Sequence, residues 1–276
     1  MFVRLGRNHA NAVHHLLRNQ LLEVPYNAAW QDIHRAFELG RVERRRLIFS
    51  PRERELLREE AKRQFGWDLI KPPPAEGRIQ AAAQAIDEKL APQRPDDAYV
   101  LAKGRLPAPL PALPAGCALR VALDQLDMTA IGSVLVVENL DCFDQIHRYP
   151  LPEMLGEALV LYRGHGATTR GTRRLLQSVP AAIPVVLFPD YDPAGLVIAT
   201  AMPHASHLLV PQFTPELLAK GSREHFHRQH LQARHLDNSM LGGWQRVWTE
   251  MKQAAVSIKQ QHMLAQGTPL RCIARA

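Results

Sequence analysis

The chain has 276 residues, room for one large domain or two ordinary ones, and 46% of them are hydrophobic, which excludes a wholly disordered protein. Lys and Arg number 34 against 27 Asp and Glu, a net charge of +7 that favours a polyanionic partner. No segment approaches the ~18 apolar residues that span a bilayer, and the three cysteines are far apart with no CxxC pair, so a reducing, cytoplasmic setting without a membrane partner is expected.

The first 75 residues are the basic part, with fourteen Lys and Arg against nine Asp and Glu. Apolar residues at helical spacing predict helices over 9–22 (Leu16, Leu17, Leu21) and 27–39 (Trp30, Ile33, Phe37). Arg44–Phe49 reads as a short strand. Ser50-Pro51-Arg52-Glu53 is a helix start, with Ser as N-cap, Pro at the first helical position and Glu three residues after the cap; the helix should stop before Gly66. Helices with a short basic strand suit a winged-helix-like module, in which Arg44, Arg45 and Arg46 are candidate nucleic-acid contacts. A further helix is expected over 76–90. The proline-rich run between Lys103 and Gly116 should be an extended connector. The expected plan is a smaller, mainly helical DNA-binding domain over 1–102, a linker over 103–116 and a second domain over 117–276.

In the second part the pattern changes. Ala118–Leu123, Val134–Val137, Ala158–Tyr162 and Val185–Phe188 are short runs rich in Val, Leu and Ile, alternating with helical segments at 141–147, 168–178 and 193–202; His207–Val210 adds another strand. Such alternation predicts an α/β domain with a parallel sheet, whose ligands bind at the carboxyl ends of the strands. Acidic residues stand there. Val134–Val137 runs into Glu138-Asn139, and Val185–Phe188 into Pro189-Asp190-Tyr191-Asp192-Pro193. Asp190 and Asp192, two apart in extended chain, point to one side and suit a shared hard cation. Asp192-Pro193 also reads as a helix N-cap and first residue. Three clustered carboxylates without a cation would be electrostatically costly, so Glu138, Asp190 and Asp192 are the candidate ligands of a metal ion.

Between the strands lies Arg163-Gly164-His165-Gly166, where the glycines bring backbone close to the acidic edge. Gly166 and Gly171 have phosphate-loop spacing, but Thr172 stands where such a loop needs Lys, which argues against ATP hydrolysis. Arg163, Arg170, Arg173 and Arg174, with His165, are candidate phosphate contacts. His225, His227, His230 and His235 do not share a helix face, which argues against zinc. Trp244 and Trp248 suit core or interface packing.

A strand ending in Glu, a glycine turn and a strand ending in Asp-x-Asp together resemble the Toprim pattern of topoisomerases, primases and related nucleases. The wording VVENLDCF, LYRGHG and FPDYDPAGL is similar to the Toprim domain of the topoisomerase VI A subunit, and within that group to the nuclease subunit (JetD/MksG) of Wadjet-type, condensin-based plasmid defence. The resemblance covers about 117–276. It implies a DNA endonuclease dependent on Mg²⁺ or Mn²⁺, with Glu138, Asp190 and Asp192 as its catalytic groups, working as a homodimer with a condensin-like SMC ATPase, its kleisin and winged-helix subunits. Glu138 matches the Toprim glutamate, Asp190 and Asp192 its Asp-x-Asp, and Gly164 or Gly166 its middle glycine. Some relatives carry a further carboxylate near the C-terminus; here the stretch reads Ser257-Ile258-Lys259-Gln260-Gln261-His262, leaving Glu250 or Asp237 as substitutes. Tyr26, the one tyrosine in 1–95, lacks the surroundings of a topoisomerase nucleophile. The alternatives are a DNA-binding interaction subunit with a vestigial metal site, and a phosphatase of the haloacid-dehalogenase type, against which Pro193-Ala194 after the Asp-x-Asp argues.

Overall fold

The computed structural model describes residues 5–71, 82, 97–166 and 169–276. The chain divides into two compact units, Met1–Pro95 and Asp96–Ala276.

In the first unit, helices α1 (Arg7–Arg18), α2 (Ala28–Phe37) and α3 (Pro51–Phe65) accompany a three-stranded antiparallel sheet of β1 (Glu23–Pro25), β2 (Arg41–Glu43) and β3 (Arg46–Ile48), in the order β1-β3-β2. The α1 periodicity ends early: Gln20 turns left-handed, and the Leu21 N–H donates to the Leu16 carbonyl at 3.0 Å. The Ser50 signal holds. Its hydroxyl accepts from the Glu53 N–H, the Glu53 carboxylate accepts from the Ser50 N–H, and Gly66 closes the helix at φ 87°. Val13, Leu16, Ile33, Leu47, Leu57 and Phe65 form the core of this unit. The strand expected from Arg44 begins instead at Arg46, because Arg44 and Arg45 form the two-residue turn between β2 and β3. The helix expected over 76–90 lies, apart from residue 82, outside the described residues.

The second unit is mixed α/β. Its seven-stranded sheet has the order β10-β9-β8-β6-β7-β4-β5, from β4 (Tyr99–Gly104), β5 (Leu119–Ala122), β6 (Val134–Val137), β7 (Leu159–Tyr162), β8 (Val185–Phe188), β9 (Ala205–Pro211) and β10 (Leu270–Ala274). β9, β8, β6 and β7 run parallel, whereas β10, β4 and β5 pair antiparallel. The sheet is therefore mixed, not wholly parallel. The division of the chain also lies earlier than expected. β4 begins inside 1–102 yet hydrogen-bonds to β7, so the proline-rich run after it joins two strands of one sheet and is not an interdomain linker.

Between the strands come α4 (Leu140–Asp144), α5 (Thr169–Gln177) and α6 (Pro193–Thr200); after β9 come α7 (Pro215–Ala219), α8 (Arg223–Arg228), α9 (His230–Asp237), α10 (Gln245–Ala254) and α11 (Gln260–Ala265). β6 and β8 are buried at every residue, which explains their unbroken apolar sequences. Trp244 and Trp248 are fully buried in this unit's core, with indole N–H groups donating to the Ile273 carbonyl and Asp237. They offer no contact surface. Among the described residues no helix is long and apolar enough to cross a membrane.

Candidate functional site

The strand order fixes where a site can form. From β6 the chain passes to β7 on one side, while β8 lies on the other and leads on to β9. The connections diverge at the carboxyl ends of β6 and β8, and that switch point is where open parallel sheets leave a crevice. Glu138 and Asp190 stand on its two lips. The Glu138 N–H donates to the Phe188 carbonyl at 3.1 Å, and the Asp190 N–H to Glu138 Oε2, also at 3.1 Å.

Asp192 does two jobs. Its Oδ1 accepts from the Gly195 N–H at 2.8 Å, capping α6 as its sequence position suggests, and its Oδ2 turns toward Asp190. Gly195 is required there, since a Cβ would lie 2.2 Å from the Asp190 carbonyl oxygen.

The position facing both aspartates is taken by Lys259. Its Nζ lies 2.9 Å from Asp190 Oδ2 and 3.1 Å from Asp192 Oδ2. Backbone pairing delivers it: Tyr191 and Ile258 exchange N–H···O bonds of 2.8 and 3.0 Å, so the next residue reaches the acidic pair. Burial pulls the Lys259 ammonium down, but the hydrogen bonds and charges of both aspartates outweigh it, and its pKa lies above the ordinary lysine value.

Gln260 then ties the edge together. It is fully buried. Its backbone N–H donates to Asp190 Oδ1 at 2.9 Å, its Nε2 donates to the Phe188 carbonyl at 2.7 Å, and its Oε1 accepts from the Asn139 N–H at 3.0 Å. Gln229 performs a similar task beside Asp192, donating to Oδ2 at 3.0 Å and accepting from the Ala194 N–H at 2.7 Å. It sits within the histidine-rich segment, whose His225, His227, His230 and His235 are all exposed.

On the β7 side, Arg163 reaches Glu138 Oε1 at 3.4 Å, and its Nε is buried with no hydrogen-bond partner among the described residues. Burial pushes the Glu138 carboxyl above the ordinary carboxylate range; Asp190 adds to the shift and Arg163 opposes it. Gly164 and Gly166 both adopt left-handed φ, 87° and 54°. Thr169 Oγ1 donates to the Gly164 carbonyl at 3.1 Å and buried Thr172 to the Tyr162 carbonyl at 2.9 Å, so Thr172 pins this turn. His165 is exposed, its ring against Tyr162.

Other expected residues are engaged elsewhere. Arg173 donates to the Ala201 carbonyl at 2.7 Å, Arg174 to the Asp97 carbonyl at 3.2 Å, and exposed Arg170 pairs with Asp97 at 3.7 Å. Glu250 pairs with Arg271, and Asp237 with Lys252 and Trp248, so neither completes the acidic set. In the first unit Arg44 and Arg45 are exposed at the hairpin tip, and Arg46 pairs with Glu23 at 2.9 Å.

A family model described as a domain of unknown function, DUF7281, matches residues 93–272. The chain belongs to this family. The matched span includes all of the mixed sheet up to Cys272, with Glu138, Asp190, Asp192, Lys259 and Gln260 inside it. Comparison with curated proteins returns no match.

As the side chains stand, no three His, Cys, Asp or Glu groups among the described residues converge to ligate one ion. The donor chemistry nevertheless fits one. Carboxylates from two neighbouring strand ends supply hard oxygens, and the positive charge bridging the aspartates already stands where a cation would.

Proposed function

We propose that the chain is a Toprim-type DNA endonuclease dependent on Mg²⁺ or Mn²⁺, acting with a condensin-like SMC complex in defence against plasmids. One observation carries this reading: Glu138, Asp190 and Asp192 meet at the switch point of the sheet, beside Arg163. Asp190 and Asp192, with Glu138, would hold the ion, which when bound polarises the scissile phosphate and stabilises charge on the leaving oxygen. In place of ligating the ion, Glu138, raised in pKa by burial, is suited to exchange a proton with water or the 3′-oxygen. The under-used Arg163 guanidinium is suited to a phosphate oxygen. The first unit, read as winged-helix-like, would hold duplex phosphates through its arginine-tipped hairpin, without reading sequence. Cutting both strands needs two sites of opposite polarity, which a two-fold homodimer supplies.

The seated Lys259 favours a second reading, in which the chain binds DNA as a subunit with a vestigial centre. Plasmid cleavage separates the two. Nicking or linearisation that requires Mn²⁺ and disappears in Asp190→Ala supports the nuclease; salt-sensitive DNA binding with no cleavage under any divalent ion supports the binding subunit.

A further inference from the structure

We propose that Lys259 is a resident counter-cation of the acidic edge, and that a divalent ion enters this centre only by displacing its ammonium. The proposal rests on the reading of the edge as a divalent-cation centre and adds how access to it is controlled.

The Oδ1 atoms of the two aspartates are spent on backbone N–H groups, Gln260 for Asp190 and Gly195 for Asp192. The Oδ2 atoms are the ones turned to the shared position, where Lys259 contacts both and Gln229 also donates to that of Asp192. An ion bridging the aspartates through those oxygens would lie at the place of the ammonium, and two cations cannot share it. Charge balance points the same way. Glu138, Asp190 and Asp192 carry three negative charges, and Arg163 with Lys259 returns two. A divalent ion in place of Lys259 leaves the group neutral, whereas an ion added beside Lys259 leaves it positive within a partly buried crevice.

The lysine is also built to leave. Its backbone is held by the neighbouring Tyr191–Ile258 pairing, so exchange needs no movement of the sheet. Its side chain is 40% exposed, against 2% for Asp192, so a flexible four-carbon stem has a path to solvent. Its alternative partner is then water or a nucleic-acid phosphate.

The test titrates Mn²⁺ into the full chain by calorimetry, with Lys259→Met, Lys259→Arg and Asp190→Asn alongside the unaltered protein. Lys259→Met should bind Mn²⁺ about tenfold more tightly or better. Lys259→Arg, which keeps the charge, should show no gain, and Asp190→Asn should lose binding. Equal or weaker binding by a folded Lys259→Met, with Mn²⁺ still bound by the unaltered protein, overturns the displacement while leaving the metal centre standing. Absence of Mn²⁺ binding in both proteins removes the centre itself, and the proposal with it. A second measurement avoids any variant: acetylation of Lys259 followed by mass spectrometry, normalised to Lys252, which also pairs with an aspartate. Mn²⁺ should speed Lys259 modification severalfold. An unchanged rate at Mn²⁺ concentrations where calorimetry records binding contradicts the proposal.

Discussion

Gln260 shows how much of the site depends on residues that carry no chemistry of their own. Its amide satisfies the Asn139 N–H and the Phe188 carbonyl inside the protein. Gln260→Leu should therefore cost about 1–3 kcal/mol, because the Asn139 N–H loses its partner while the Phe188 carbonyl keeps the Glu138 N–H. Chemical denaturation checks it; a loss below about 1 kcal/mol would mean that water replaces the amide. At this scale the acidic residues were legible because each follows an unbroken apolar strand, and Asp192-Pro193 also carried the signature of its cap. Lys259, Gln260 and Gln229 were not. Their roles come from the Tyr191–Ile258 bridge and the contact of Gln229 with the start of α6, pairings between segments far apart in sequence. The stretch after Ile258, which lacks the further carboxylate of some Toprim relatives, supplies a cation to the edge instead.

Elements carry their own predictions. The β2–β3 turn places Arg44 and Arg45 at φ 44° and 68°, a conformation that Asn-Gly adopts more easily. Replacing both, Arg44→Asn with Arg45→Gly, should stabilise the first unit by about 1 kcal/mol. If the tip meets duplex phosphates, the same change should lower the log–log salt slope of DNA binding by about two. Stabilisation with unchanged DNA affinity would remove the hairpin from the interface. In α3, Arg58 makes a two-pronged ion pair with Asp68, and its hydrogen bonds hold the Asp68 carboxyl down at about 2. A depressed carboxyl contributes stability above its unfolded value and loses it as pH falls, so about 1 kcal/mol should disappear between pH 4 and 2. Asp68→Asn should be less stable at neutral pH and flatter across that window in acid-titration melts. Strand identities were legible where both faces are buried, as in β6 and β8. The antiparallel partners β4 and β10 were missed: β4 precedes a proline run that looks like a boundary, and β10 is a short half-buried strand at the chain's end.

At the scale of the whole molecule, two units each close their own core, and the change from basic helical sequence to apolar strands announced both. The boundary was not legible, since prolines between two strands of one sheet look like prolines between domains. Glu138→Gln should leave the fold intact and abolish Mn²⁺-dependent plasmid cleavage, as a gel assay on the full chain would record. Light scattering on the same protein should give twice the monomer mass; a monomer that still makes double-strand breaks unaided would contradict the dimer. Cleavage and displacement of Lys259 both require that the edge formed by Glu138, Asp190 and Asp192 be a divalent-cation centre. Anomalous scattering from crystals grown with Mn²⁺ tests it most directly. A manganese peak is expected between the Asp190 and Asp192 carboxylates, with Lys259 turned out toward solvent. Crystals saturated with Mn²⁺ that show no peak at this edge, with Lys259 still bridging the two aspartates, would contradict it.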